Sequence, residues 1–240
     1  MFRDKFNFNF WPSFTDLMLS LVLVVLIILF VVSKMIAAGS ENLDRARDSQ
    51  KMISTQIHEQ IGNRYTISVI SDKDTLQSNQ EAKESKSDIT IINKLDRQTI
   101  TFSDKVLFDT NESTLKPAGT EVLSVVGPVV KSNLANISEI QIQGHADISG
   151  GDDENLQLAS ERAMSVYKFL QNNVGINPAE YLMSATSFSK YKPVGREAGL
   201  DYNLGQLQQD NRTKEMMARN RRIEIVLFYK NELNANQNQQ

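Results

Sequence analysis

The sequence predicts one N-terminal transmembrane helix followed by an α/β (α+β) sandwich, with helices on one face of a mixed sheet. Three observations carry this. Trp11 to Val32 is an apolar run holding a single charge, Asp16. From Val106 onward, short alternating stretches and amphipathic helical stretches succeed one another, which reads as strands and helices layered on a common core. Between these parts Ser71–Ser87 is polar, with one leucine and no aromatic, and reads as a flexible loop or linker. The expected organisation is a leader 1–10, a transmembrane helix 11–33, a juxtamembrane helix 34–62, a linker with short strands 63–105, a folded domain 106–230 and a disordered tail 231–240.

The apolar run is long enough for its expected role. A helix rises 1.5 Å per residue, so about 20 apolar residues cross about 30 Å of hydrocarbon, and lipid forces the backbone to satisfy itself as a helix. Pro12 suits a first helical turn, and Phe10, Trp11 and Phe14 are placed to anchor an interface. A cleaved signal peptide is the competing expectation, because Ala37 and Gly39 have the spacing of a cleavage site. The length of Leu17–Val32, the acid at its start and the thin basic leader (Arg3 and Lys5 around Asp4) favour a retained span.

Asp16 needs a reason. A carboxylate within a span is costly and faces protein or water. Ser13, Asp16 and Ser20 follow i, i+3, i+7 spacing and form one polar stripe. Low dielectric opposes ionisation, so this acid can serve as a proton-exchanging group lined by the two serines. The alternative is an acid in the first turn that meets headgroup water or the helix dipole.

Composition excludes several classes. Net charge is −3, so no broad basic surface calls for nucleic acid. The absence of cysteine excludes disulfides, thiolate metal sites and a cysteine nucleophile. No nucleophile–base pair, phosphate loop or metal cluster stands out, so neither an enzyme nor a cofactor is expected. His145 is a packing histidine on this reading, since no second histidine or cysteine lies near it.

In chain order, 34–62 lacks proline and reads as helix, with Ile36, Leu43, Ala46, Ile53 and Ile57 near a/d positions and Gln50 at one of them. A parallel dimer, a docking helix and a solvated extension of the span all fit. Tyr65–Ile70, Ile89–Ile92 and Thr99–Phe102 alternate as strands, the last two joined by a turn near Asp96. Ser71–Ser87 is a polar linker. A short strand is expected from Val106, then a helix over Leu115–Leu134 that Pro128 kinks or splits. Glu139–Gln143 is a strand ending in Gly144-His145-Ala146-Asp147, and Asn155–Asn173 is an amphipathic helix stopped near Gly175. Leu182–Thr186 and Arg222–Phe228 are strands, and the irregular insertion between them is helical near Thr213–Arg219.

Five stretches in order resemble the OmpA-like peptidoglycan-binding domain: VLFDTNESTLKPAG (106–119), IQIQGHAD (140–147), NLQLASERAMSVYKFL (155–170), SATSFSKYKPV (184–194) and NRRIEIVL (220–227). Pro128, the missing glycines near Ser187 and the 195–219 insertion depart from the pattern. The resemblance implies a ligand of the diaminopimelate type, with an ammonium and carboxylates. On it, Asp147 takes the ammonium and Arg162 the carboxylate as a bidentate fork, Asn155 caps its helix or bonds the ligand, and the Asp109–Asn111 loop supplies backbone N–H groups. The alternative for Asp147 and Arg162 is a structural salt bridge.

An OmpA-like domain behind one span with an early acid is similar to MotB-like stator subunits, and FWPSFTDLMLSLVLVV is closest to the Zorya anti-phage branch of that family. This resemblance implies a homodimer inside a ring of a MotA-like (ZorA-type) membrane subunit, proton binding at Asp16 with Ser13 and Ser20 lining the channel, attachment to peptidoglycan, and an inner-membrane location with the N-terminus in the cytoplasm and the domain in the periplasm. A flagellar-type MotB stator is the alternative within that family, and a passive tether from inner membrane to peptidoglycan is the reading of a different class.

Overall fold

A computed structural model describes residues 11–71, 87–196, 199 and 201–230. The leader 1–10, most of the polar linker (72–86) and the tail 231–240 lie outside the described residues, as does the side chain of Ser13. Helix α1 runs from Trp11 to Ile61, and its N-terminal part is long and apolar enough to cross a membrane. Every large apolar side chain between Phe14 and Val32 is exposed.

The folded domain holds a six-stranded mixed sheet. Its strands are β1 (Ile67–Ser71), β2 (Ile89–Asn93), β3 (Arg97–Ser103), β4 (Ile137–His145), β5 (Leu182–Ser189) and β6 (Arg222–Tyr229), in the order β1-β2-β3-β6-β4-β5. The pairs β1–β2 and β4–β5 are parallel and the three between them antiparallel. The strand period of two puts Ile100 and Phe102 of β3, Ile140 and Ile142 of β4, and Ile223, Ile225 and Leu227 of β6 on one face, and all of them are buried. That face is covered by the end of α1, by α3 (Pro117–Ser132) and by α4 (Asp152–Phe169), whose Ile53 and Ile57, Val122, Val126 and Val130, and Ala163 and Val166 complete the core.

The end of α1 is the docking helix among the three expectations for this segment. Ala46, Gln50, Ile53 and Ile57 of the a/d seam are buried within the domain. Polar bonds accompany them: Gln50 Nε2 donates to the carbonyls of Lys94 (2.8 Å) and Arg97 (3.3 Å), and the fully buried Gln98 donates to the Gln50 carbonyl at 2.9 Å. Ile36, further up the seam, is exposed.

Two local expectations differ. The segment from Val106 does not form a strand; Asp104–Leu107 is a single helical turn, α2, and only Phe108 keeps a β-bridge, to Leu115. Val106, Leu107 and Phe108 are consecutive and all buried, which a strand open on one face does not allow. Pro128 does not split α3, which is continuous. A residue before proline is driven out of the helical region partly by its Cβ, and Gly127 has none. A Cβ there would also meet Val174 at 2.3 Å.

The helix α4 passes into a π-turn at Leu170–Val174 and ends on Gly175, in the left-handed region at φ 75°. At its other end it presses on β4 where Gly144 stands: a Cβ at 144 would lie 2.0 Å from the Ala159 carbonyl oxygen. Because the obstacle is backbone, Gly144→Ala is expected to destabilise the domain by about 1–3 kcal/mol. Thermal unfolding of the full chain in detergent, followed by circular dichroism, checks this; an unchanged midpoint would contradict the close approach.

Candidate functional site

The site sits where β4 runs out. Strands β4 and β5 lose register between Gly144 and His145, so that Ser187 faces Gly144 and Ser189 faces His145, with Phe188 extra. Such a bulge bends the strand that carries the extra residue, here β5, where Ser189 is left-handed at φ 48°. Ala146 and Asp147 follow the end of β4, and the Ala146 N–H bonds the Ser189 carbonyl at 2.8 Å. Asp147 is 3 % exposed. Its carboxylate accepts from the Ser149 N–H at 2.7 Å and pairs with the Arg221 guanidinium.

Arg162 lies on α4, 5 % exposed. Nε donates to the Glu112 carbonyl (2.8 Å), a terminal nitrogen to the Asp109 carbonyl (3.2 Å), and the other terminal nitrogen meets the Asp104 carboxylate at 2.9 Å. The guanidinium lies over the Phe108 ring, 5.1 Å from its centroid. Asp104 in turn lies 3.9 Å from Arg221 Nε. The charges therefore alternate as Arg162, Asp104, Arg221, Asp147. Burial raises the Asp104 pKa, against the opposing pull of Arg162 and Arg221; burial also lowers that of Arg162, against the pull of Asp104.

Asp147 and Arg162 line one cleft together with Asp109, Asn111 and Asn155. They do not form a salt bridge with each other, since each has a different partner. Asn155 does not cap α4. The N–H of the capping residue Gly151 is taken by Glu154 at 2.7 Å, and the Asn155 amide donates instead to the Asp147 (3.3 Å) and Ser149 (2.7 Å) carbonyls. Asp109 and Asn111 are exposed at the rim, with Asn111 left-handed at φ 62°. Sequence reasoning missed Asp104 and Arg221. The second had a signal, the paired arginines at the entry to β6; the first, which opens α2, had none.

On the sheet face away from the helices, His145, Arg222 and Glu224 share one patch. Arg222 Nε donates to Glu224 at 2.7 Å, and the imidazole Nε2 stands 3.5 Å from the other carboxylate oxygen. Burial works against Glu224 ionisation, but Arg222 and its neighbours outweigh it and hold the pKa well below the usual range. His145 stacks on Phe188 at 5.3 Å, consistent with a packing histidine, and among the described residues no cluster could hold a metal ion. At the other end of the chain, Asp16 is exposed on α1, and Ser20 Oγ donates to the Leu17 carbonyl at 2.8 Å.

A cleft of fixed, paired charges with exposed residues at its rim thus lies at one end of the sheet, in a domain of OmpA-like α/β fold. Residues 107–201 match the model for the OmpA family. The chain is 27% identical over 139 residues to the probable lipoprotein YiaD of Escherichia coli strain K12, covering 58% of this chain and 55% of that one. It is 29% identical over 128 residues to outer membrane protein A of Bordetella avium, covering 53% and 56%. The chain thus spans about half the length of the curated relatives it matches. Among solved structures it resembles a putative MotB-like protein from Desulfovibrio vulgaris, at TM-score 0.54 and 19% identity, over 80% of this chain and 99% of that one.

Burial, then Arg222, lowers the His145 pKa from 6.5 to about 4 against the pull of Glu224. A base whose folded pKa lies below its unfolded one costs stability as it protonates in the unfolded chain first. Stability from this residue is therefore complete above pH 6.5 and falls between pH 6.5 and about 4, by up to about 1.4 kcal/mol per pH unit. His145→Gln is expected to flatten that part of a stability–pH profile measured by urea unfolding; an unchanged slope would show that the imidazole is not buried neutral.

Proposed function

We propose that this chain is the wall-anchored subunit of a proton-driven inner-membrane motor of the MotB type, acting as the ZorB component of a Zorya anti-phage complex. One observation carries the motor: an acid, Asp16, near the start of an apolar helix long enough to cross a membrane, on the same chain as an OmpA-like domain. A domain that only holds the wall has no use for an acid within its span. The MotB-like fold neighbour is in keeping with this, and the Zorya assignment rests on the Pro12-Ser13-Phe14-Thr15-Asp16 wording at the start of the span. In this reading two copies stand inside a ring of a MotA-like, ZorA-type subunit. The N-terminus is cytoplasmic and the domain periplasmic, on peptidoglycan. Asp16 exchanges protons, Ser13 and Ser20 line its path, and ion passage turns the ring about the fixed pair.

The wall end works through the charged cleft. A diaminopimelate side chain offers an ammonium to Asp147 and a carboxylate to Arg162 and Arg221, while Asn155 and the Asp109–Asn111 loop hold the rim. Asp147→Ala or Arg162→Ala should weaken pull-down of diaminopimelate-type peptidoglycan about ten- to a hundredfold, the worth of a charge-assisted bond of roughly 1.5–3 kcal/mol. Wild-type binding by both folded variants would remove them from the site.

A passive tether is the second reading, favoured by the two curated relatives, which are named as a lipoprotein and an outer membrane protein. Asp16→Asn separates the two. It keeps size and hydrogen bonding but cannot exchange a proton. It is expected to leave insertion, dimerisation and wall binding intact and to abolish phage protection in a plaque assay at matched expression. Full protection by Asp16→Asn would leave the tether standing.

A further inference from the structure

Two buried asparagines form a frame beside Asp147. Asn211 lies in the 195–219 insertion, between helices α5 (Leu204–Gln209) and α6 (Lys214–Asn220), and Asn220 closes it. They are 1 % and 2 % exposed. The Asn211 carboxamide oxygen accepts from the Ile148 N–H at 3.2 Å, one residue past Asp147, and from the Asn220 amide at 2.8 Å. The Asn211 amide donates to the Leu207 carbonyl at 2.9 Å. Asn220 also donates to the Asp210 carbonyl (3.0 Å) and accepts from the Val194 N–H (2.9 Å). All four side-chain nitrogen and oxygen atoms of the pair are thus satisfied, as burial requires. The Tyr202 hydroxyl donates to the Asp210 carboxylate at 2.6 Å and braces the turn that carries Asn211.

The frame reaches both members of one ion pair. On the Asp147 side, Asn211 holds the Ile148 N–H, and the Ser149 hydroxyl donates to the Met217 sulfur of α6 at 3.9 Å. Ser149 is also the residue whose N–H bonds the Asp147 carboxylate. On the Arg221 side, Asn220 is the preceding residue, and the Arg221 N–H bonds the Met217 carbonyl at 3.1 Å. The Arg221 carbonyl in turn accepts from the Asp104 N–H at 3.1 Å. Asp147 and Arg221, which pair with each other, are therefore fastened to one short piece of chain. Asn211 itself does not line the cleft.

We infer that Asn211, locked by Asn220, is a positioning residue for wall binding: it holds the Ile148 backbone so that the Asp147 carboxylate stands in place for an ammonium group before the ligand arrives. The inference rests on the wall-binding reading above. A carboxylate past a strand end is carried by a loop, and a loop that must be ordered on binding loses part of the interaction energy to that ordering. An uncharged amide suits the task. It fixes the backbone without adding a charge that would compete with the ligand for Asp147 or Arg221.

Full chain in detergent is titrated calorimetrically with the tripeptide L-Ala-γ-D-Glu-meso-diaminopimelate. Asn211→Ala should weaken binding roughly tenfold, the effect of one lost buried hydrogen bond. In an Asp147→Ala background the same substitution should change binding by less than about twofold, because the group it positions is gone. A general loss of fold would lower binding in both backgrounds alike, and that outcome would overturn the inference, as would wild-type affinity in a folded Asn211→Ala chain. Hydrogen exchange of the wild type, read by mass spectrometry, decides the matter if Asn211→Ala does not fold. The 146–149 amides should exchange slowly before the tripeptide is added and no more slowly after it; fast exchange that only the ligand slows would overturn the inference alone. A wild type that does not bind the tripeptide would overturn the wall-binding reading and this inference with it.

Discussion

The domain is built around four charges that cannot be separated. Arg162 and Asp147 are both nearly buried, and a buried charge is tolerated only when paired and hydrogen-bonded. Here the pairing is serial: Asp104 stands between Arg162 and Arg221, and Arg221 between Asp104 and Asp147. Each member comes from a different part of the chain: α2, the loop after β4, α4 and the residue just before β6. Folding must bring all four together, because leaving one behind strands its neighbour. The ligand cleft and the tertiary fold are for that reason one construction. Arg162 shows it most directly, since the guanidinium that neutralises Asp104 also holds the Asp109 and Glu112 carbonyls at the rim.

The same economy explains the glycine at 144. The helix carrying Arg162 must lie close enough to β4 for its side chain to reach the strand-end loops. Gly144 lets the backbone of Ala159 approach. Beside it, the bulge at Phe188 bends β5 so that the Ser189 carbonyl holds the Ala146 N–H, one residue before Asp147. Packing on one side of β4 and register on the other thus set the position of one carboxylate.

Much of this was legible in the sequence, and the reasons are physical. Strand β3 alternates cleanly because one face is buried, so period two marked it, and β4 alternates in sequence over Glu139–Gln143. Asp147 and Arg162 stood out through motifs tied to a strand end and a helix face. Asp104 did not, because its role comes from contacts made at long range with residues far along the chain. The turn at Asp104–Leu107 was misread as strand because three consecutive apolar residues fit a buried strand as well as a buried helical turn. The heptad-like seam of α1 was ambiguous for a related reason: apolar spacing states that a helix face is buried, not what buries it. Asn155 was open in the same way, since a short amide near a helix start can serve the helix or the loop before it.

The docked end of α1 carries a consequence in its amides. Ile53, Ile57 and Ile61 repeat every four residues, so apolar contact alone would let the helix slip by one turn along the sheet at little cost. Gln50 and Gln98 do not repeat. The Gln50 side chain bonds the Lys94 and Arg97 carbonyls in one axial setting only, with Gln98 bonded to the Gln50 carbonyl beside it. A slip of about 5.4 Å would carry the Gln50 side chain away from the Lys94 and Arg97 carbonyls that hold it. The helix is keyed like a shaft in a slot, and the key is made of uncharged amides that neither acid nor salt can turn.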